Sequence, residues 1–551
     1  MKVSDVFVKA LEAEGVKYVF GVPGEENQDL LFSMAKSSIT FVPTRHENGA
    51  AFIADVWGRL SGEAGVCLGT LGPGATNLIT GVADAYSDKA PLVVITGQGG
   101  IERMHHESHQ YIDVMAMYKP ITKYSATIRS PSIVTEVIRK AFKEAEYEKP
   151  GATHIELPED IAKQDEAIKT QPLLPKRVRR AAADYKAISE TFELIKKAKK
   201  PLILAGNGAV RKLASKHLTD LAETHNIPVV GTFMGKGSLS DKSEQSLMAV
   251  GLGFKDFALE AFEEADLIIS VGYDIGEYAP HKWNPNGDKK IVHIDFVHAE
   301  VYSHYQPEVE VICDISDALW QLNQLLIEKK PSFTKDWHKD IRTRLYNDIA
   351  SYKLEDDDPL TTPGCLDIIR EVMDDDGLLL SDVGSHKMWI ARNFPTYVPN
   401  GTIIGNGFAS MGISLPGGIA AKLLDPTRQV VAAQGDGGFM MNSQELETAQ
   451  RIGVGFTNVV LNDNDYGLIS WKQRMNTGGK ETSTKLTNPD FKKYAESFGI
   501  NGYNPKTAGE FRETLKKTLA SGELCVIEAV IDPSVNQALF DKMKKYFAEK
   551  K

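Results

Sequence analysis

Gly435-Asp436-Gly437-Gly438, closed off by Asn462-Asp463-Asn464-Asp465, is the stretch around which the 551-residue sequence is organised. The apolar run Gln429-Val430-Val431-Ala432-Ala433 leads straight into the first glycines. Such a run reads as a buried parallel strand ending in a tight turn. Glycines at that turn leave backbone N–H groups free to face phosphate oxygens. Asp436 adds a carboxylate at the same point, and a second apolar strand, over 458–461, again ends in oxygen-bearing side chains. Two strand ends deliver hard oxygen ligands to one place. That set suits Mg²⁺, which completes its octahedron with phosphate oxygens and water.

Outward from this point, strand–loop–helix units repeat. In residues 1–165, Ser4 reads as the cap of a first helix. Strands follow at 18–22, 39–42, 66–69 and 91–96. They run into Gly21-Val22-Pro23-Gly24-Glu25, Arg45-His46-Glu47-Asn48-Gly49, Thr70-Leu71-Gly72-Pro73-Gly74 and Gly97-Gln98-Gly99-Gly100, with a helix expected over 50–60. Repeated units of this kind mean a parallel sheet, and ligands collect at the carboxyl ends of its strands. A second unit, 190–335, has strands at 201–205, 227–231, 267–272 and 291–294. Its Gly206-Asn207-Gly208 is a fragment of a dinucleotide fingerprint, and Asp295 stands where a ribose-binding acid would. A partial motif and one acid do not make a cofactor site. A third unit spans 359–535, with strands at 378–381, 430–433, 458–461 and 525–531. Residues 166–190, with Arg177, Arg179 and Arg180, read as a solvated linker, and 336–358 as a second one. The Lys-rich tail, 542–551, reads as a solvated terminal helix. The expected fold class is α/β, with three consecutive Rossmann-like or flavodoxin-like parallel-sheet domains at 1–165, 190–335 and 359–535.

Apolar content of 42% and charged content of 25% are those of a globular protein. A net charge of −11 leaves no basic surplus for a nucleic-acid backbone. The four cysteines, Cys67, Cys313, Cys365 and Cys525, are far apart and suit reduced, buried thiols of a cytoplasmic protein. No signal-peptide core and no apolar window of about 18 residues is present, so no membrane association is expected.

The paired motifs resemble the diphosphate-and-metal motif of thiamine diphosphate enzymes. Across nearly the whole chain the motifs are similar to the acetolactate synthase group, nearest to its FAD-independent, catabolic members. The resemblance implies thiamine diphosphate and Mg²⁺ as cofactors, with Asp436, the Asp463 side chain and the Asp465 carbonyl on the metal. The family usually has Asn where this chain has Asp463. Gly384-Ser385-His386 would bind diphosphate together with Gly435, Gly437 and Gly438, with Tyr466 beside them. Pro23 would lie against the pyrimidine, and Met411 would wedge between the cofactor's two rings. Glu47 would hydrogen-bond N1′ of the aminopyrimidine and so generate the base that takes the C2 proton. Gln110, of the His109-Gln110 pair, would donate hydrogen bonds at the reaction centre. A metal reading of His105, His106 and His109 lacks a carboxylate or thiolate to complete it. Gly272-Tyr273, Glu277-Tyr278 and Trp283-Asn284 look like the catabolic enzymes, whose middle domain lacks FAD.

The activity implied is decarboxylating carboligation of two pyruvates to 2-acetolactate and CO₂. The cofactor would lie between the first domain of one subunit and the third of another, in a homodimer or homotetramer. Two departures stand out: Leu71 replaces a common Ser, and Trp471 is out of step with the tryptophan that favours 2-ketobutyrate as acceptor. Other carboligases, decarboxylases or oxidases on this scaffold (glyoxylate carboligase, pyruvate oxidase) and a non-catalytic cofactor-binding protein remain the alternatives.

Overall fold

A computed structural model describes residues 1–165, 171–176, 178–211 and 213–549. Arg177, part of the expected basic linker, and the last two residues of the Lys-rich tail lie outside the described residues. The first sheet holds β1 (Tyr18–Gly21), β2 (Thr40–Pro43), β3 (Gly65–Gly69), β4 (Leu92–Gln98), β5 (Tyr124–Thr127) and β6 (Ala152–Pro158), in the order β2-β1-β3-β4-β6-β5. The second holds β7 (Pro201–Ala205), β8 (Val229–Gly231), β9 (Ser246–Ala249), β10 (Leu267–Val271), β11 (Lys290–Asp295) and β12 (Val309–Ile312), ordered β12-β11-β10-β7-β8-β9. The third holds β13 (Leu378–Ser381), β14 (Thr402–Ile404), β15 (Val430–Gly435), β16 (Thr457–Asn462), β17 (Asn501–Tyr503) and β18 (Cys525–Val530), ordered β14-β13-β15-β16-β18-β17. Neighbouring strands in all three sheets pair in parallel. The three tandem α/β parallel-sheet domains expected from the sequence are present.

The first and third sheets share one strand order, and the middle sheet has the Rossmann order read from its β9 edge. Strands such as β3, β4, β7, β10 and β16 are buried along their whole length. Helices cover both faces of such sheets, so their strands read as unbroken apolar runs rather than alternating ones. The described residues group into two compact units. One comprises 1–178, 407–427 and 438–455; the other comprises 179–406, 428–437 and 456–551. The first sheet belongs to the former unit and the other two to the latter. All four cysteines are free and buried.

Several local expectations are corrected. Ser4 does not cap the first helix, which begins at Val3; Asp5 accepts the Lys2 N–H at 3.0 Å instead, and Ser4 is buried against Ser33. The helix expected over 50–60 starts earlier and runs Glu47–Ser61, because the His46 ring caps it through the Asn48 N–H. Gly97 and Gln98 belong to β4 and not to a loop. The tail helix is Ser534–Glu549, and Leu539, Met543 and Phe547 bury one face of it.

Residues 336–358 do not form a linker throughout, since Lys339–Ala350 is a helix. Ile341 and Leu345, four apart, bury its inner face, and Asp348 meets Arg392 one turn further on. Arg392 is 1% exposed; it donates to Asp256 at 2.9 and 3.2 Å and to Asp348 at 2.6 Å. Removing the buried cation strands the Asp256 carboxylate and leaves Asp348 with Lys542 alone, a kind of loss that costs about 3–5 kcal/mol. Arg392→Ala is therefore expected to lower the urea midpoint of unfolding sharply. A midpoint equal to wild type would show that water replaces the guanidinium.

Candidate active site

At a switch point, where strand order reverses, neighbouring loops diverge and open a crevice. In the third sheet this point lies between β13 and β15, which pair from Leu378↔Val430 to Ser381↔Ala433. The two loops leaving it are Asp382–Gly384, ahead of the Ser385–Asn393 helix, and Gly435–Asp436, at the start of the Asp436–Asn442 helix. Two helix N-termini therefore open toward one crevice, an arrangement that suits an anion. His386 sits within it. A Cβ on Gly384 would lie 2.6 Å from the imidazole, and one on Gly435 would lie 3.3 Å from it. At Gly384 a Cβ would displace the ring, and at Gly435 it would make a tight contact. His386 is 4% exposed, and its Nε2 is buried without a hydrogen-bond partner. Burial pushes the imidazole down to about 4.

β16 lies beside β15 and delivers the second half of the site. Asp436 is buried, and burial raises its carboxyl above the usual carboxylate range. Asp463 is pushed up to about 7, first by burial and then by the negative charges of Asp436 and Asp465. Asp465 opposes Lys485 in an antiparallel bridge whose bonds are Leu486 N–H to Asn464 O (2.8 Å) and Tyr466 N–H to Thr484 O (2.9 Å). The flanking residues make those bonds, so the Asp465 carbonyl points away from that partner. Lys485 pairs with the Asp465 carboxylate at 3.0 Å, and this and hydroxyl donors hold that group low despite burial. The Tyr466 ring packs over Gly437, where a Cβ would come within 2.8 Å of it. A Cβ on Gly467 would lie 2.5 Å from Asp463 Oδ2.

One member of this group has no signal in the sequence. The Asn488 amide donates to Asp436 Oδ2 (2.5 Å), Asn462 Oδ1 (3.1 Å) and Asn464 Oδ1 (3.1 Å). An amide carries two hydrogens, so three acceptors converge on two protons. The cluster is rich in oxygen and short of positive charge.

The first sheet builds a separate group, at its own switch point between β1 and β3. Glu47 is 8% exposed, and Asn77 Nδ2 donates to its Oε2 at 3.0 Å. Gly74 stands close to the same carboxylate, and a Cβ there would lie 3.4 Å from Oε1. The loop carrying Pro23 packs on the loop after β3: Thr70 Oγ1 donates to Glu26 at 2.8 Å, and a Cβ on Gly24 would strike Thr70 at 2.4 Å. Pro23 itself is exposed. Gln110 is exposed in the left-handed region, at φ 58°, and its carbonyl lies 2.7 Å from where Gly72 would carry a Cβ. A non-glycine residue held there stores strain, a feature that clusters at functional sites. Leu71, which stands where the family commonly has Ser, is fully buried.

Met411 is half-buried and absent from the apolar core, so packing alone does not explain it. Asp88 and Asp84 hold the segment ahead of it through the Gly407 and Ser410 N–H groups, at 2.5 and 3.1 Å. Asn442 holds the segment behind it, donating to Gly412 O at 2.8 Å. Gly438 lies in the Asp436–Asn442 helix. Trp471 is 2% exposed, with Phe254 edge-on at 5.8 Å. Among the described residues no group of three or more His, Cys, Asp or Glu side chains is placed to hold a metal. Two carboxylates and a backbone carbonyl are a different kind of set.

The middle sheet's switch point, between β7 and β10, is filled by the chain itself. The Asn207 N–H, which a phosphate would need, donates to both Glu277 oxygens at 3.1 Å. Thr232 Oγ1 donates to the same carboxylate at 2.5 Å. Burial pushes Glu277 up from 4.5 to about 7. A raised folded value means that stabilisation is complete below 4.5 and is lost as pH rises through about 7. The loss is roughly 3 kcal/mol at most. Glu277→Gln is expected to flatten thermal stability against pH across that window. An unchanged profile would place the titration elsewhere.

Three family profiles match the chain in succession. They are the N-terminal TPP binding domain of thiamine pyrophosphate enzymes at residues 1–117, the central domain at 188–322, and the C-terminal TPP binding domain at 382–529. A probable acetolactate synthase large subunit of Methanocaldococcus jannaschii is 33% identical over 97% of this chain and 92% of its own length. The acetolactate synthase of Bacillus subtilis is 32% identical over 99% and 96%. The catabolic acetolactate synthase of Raoultella terrigena is 32% identical over 98% and 97%.

The chain belongs to the thiamine diphosphate enzymes. Within them it is of the acetolactate synthase family. Relatives named as acetolactate synthase large subunits and one named as catabolic match about equally well, at 30% to 33% identity, so similarity alone does not choose a subtype. The residues present fit the cofactor of this family. The unpartnered His386 Nε2 lies between glycine-lined helix N-termini, as a diphosphate requires. The oxygen set at Asp436 and Asp463, short of positive charge, matches a hard divalent ion. Among the described residues no helix is long and apolar enough to cross a membrane.

Proposed function

We propose that this thiamine diphosphate enzyme is an acetolactate synthase, joining two pyruvates into 2-acetolactate with loss of CO₂. The observation that carries the reading is the crowding of Asp463 by Asp436 and Asp465, together with a buried His386 Nε2 that has no hydrogen-bond partner. A metal-bound diphosphate supplies what both lack. Asp436, Asp463 and the Asp465 carbonyl would hold Mg²⁺. Gly384, Ser385, His386, Gly435, Gly437 and Gly438 would line the diphosphate, with Tyr466 packed beside them. Pro23 and Met411 would flank the rings. Bound thiamine diphosphate supplies the electron sink for decarboxylation and carbon–carbon bond formation.

The chain's own residues contribute the rest. Glu47 would hold a proton at its carboxyl for N1′ of the pyrimidine, with Asn77 donating to its Oε2 at 3.0 Å. Gln110 offers its amide to oxygen that gains negative charge as the second 2-oxo acid reacts. Met411 would wedge between the two rings with an adaptable apolar side chain. On this reading the domains are 1–165, 190–335 and 359–535, and the first domain of one subunit completes the third domain of its partner in a homodimer or tetramer.

The Glu277 contact with the Asn207 N–H favours a reaction without flavin, since the amide that would meet a flavin's phosphate is taken. The test is an assay with pyruvate, Mg²⁺ and thiamine diphosphate, with no FAD. Acetoin after acidification is the expected product. Its absence, with pyruvate still consumed, would hand the scaffold to a different carboligase or to a decarboxylase.

A further inference from the structure

A buried carboxylate outside the residues discussed so far governs the turn that presents Glu47. That turn joins β2 to the Glu47–Ser61 helix. The Arg45 N–H donates to Glu445 Oε2 at 3.2 Å, and the His46 N–H donates to Glu445 Oε1 at 3.1 Å. Each oxygen is spent on one of the two amides immediately ahead of Glu47. Glu445 is fully buried, and Thr448 Oγ1 donates to its Oε2 at 2.6 Å. A Cβ on Gly49 would fall 2.6 Å from Oε1 and 2.8 Å from the carboxyl carbon, so glycine is required there while the carboxylate stays in place. Arg451, on the same segment as Glu445, donates to the Pro43 carbonyl at the end of β2. All these residues belong to one compact unit, which includes 1–178 and 438–455.

A buried carboxylate is costly unless its own oxygens find donors. Here the donors are main-chain amides, and main-chain amides fix backbone direction as well as charge. The Thr44 N–H donates to Gly21 O at 2.9 Å, and Thr44 Oγ1 to His46 O at 3.0 Å, so the turn is held from both sides. What remains for Glu47 is a single presentation, completed by Asn77.

We propose that Glu445 is a positioning residue, whose carboxylate clamps the Arg45 and His46 amides so that Glu47 meets the pyrimidine at the angle proton exchange requires. This rests on the role proposed for Glu47 above. In Glu445→Gln the side chain keeps its size but accepts at one oxygen only and turns its own N–H groups toward the other amide. Misplacement of a reacting group by about an ångström costs on the order of 10²-fold. Glu445→Gln should therefore lower kcat by about ten- to a hundredfold. KM for pyruvate should hardly change, since Glu445 touches no substrate. Affinity for thiamine diphosphate with Mg²⁺, read by calorimetry on the cofactor-free protein, should weaken in step. Gly49→Ala, which drives the carboxylate away from the other side, should reproduce both effects. In a Glu47→Gln background, Glu445→Gln should add no further loss of either.

Wild-type kcat and cofactor affinity in Glu445→Gln would overturn the proposal, as would a full additional loss in the Glu47→Gln background. If Glu47→Gln leaves turnover intact, the role of Glu47 falls and this proposal with it. If Glu47→Gln is inactive while Glu445→Gln behaves as wild type, only this proposal falls. Should Glu445→Gln not fold, Thr448→Val, which removes one donor to the carboxylate, decides by the same two readouts.

Discussion

Glu47→Gln is expected to lower turnover by on the order of 10²–10⁴-fold, the usual contribution of a positioned acid or base. The glutamine keeps the volume of the side chain and still accepts from Asn77, whose amide lies 3.0 Å from Oε2 in the native protein. It cannot give up or take back a proton at that position. Thiamine diphosphate should therefore bind more weakly but measurably, while product formation all but stops. Calorimetry reports the first and the rate of acetoin appearance the second. Turnover within a few-fold of wild type would remove Glu47 from the chemistry. It would also remove the reason for placing the cofactor between subunits.

Asp436→Ala acts on binding. Asp436 is one of two carboxylates that the metal would share, and Asp463 beside it is already forced up to about 7 by burial and by its acidic neighbours. A divalent ion relieves that repulsion, and a single aspartate loses much of the reason to bind one. Substitutions behind a metal site cost 10–100-fold in affinity, and loss of a ligand should cost at least about a hundredfold. The expected result is a protein that cannot retain thiamine diphosphate in Mg²⁺ buffer, and that behaves like the wild type after exhaustive chelation. Undiminished retention would mean that the diphosphate is held by the helix N-termini and His386 alone.

The central buried strands and the Gly-rich loops after them were legible in the sequence because parallel strands buried on both faces are continuous apolar runs. Val430 to Ala433 and Leu378 to Ser381 are recognisable on that ground alone. Glycine at 435, 437 and 384 was legible for a related reason: close approach to a ring or a phosphate leaves no room for Cβ. Asp436 and Asp463 follow strand ends and announce themselves by position. Three tandem parallel-sheet domains, and a candidate diphosphate site at the end of the last sheet, follow from such local patterns.

What depended on tertiary structure are contacts whose partners lie far apart in the chain. Asn488 is an ordinary turn residue until it is seen to donate to Asp436, 2.5 Å away. Glu445 looks like part of an exposed helix in Glu445–Arg451 until two amides from residues 45 and 46 reach it. The Lys339–Ala350 helix, with so few apolar residues, acquires its reason from Arg392, which reaches Asp348 and Asp256 together. Glu277 finds the Asn207 N–H only when folding brings the two loops together. Local sequence specifies which backbone a segment prefers, because propensity and apolar spacing act within a few residues. The partner of a buried charge is chosen by the packing of the whole chain, where a lone carboxylate is too costly to leave unanswered.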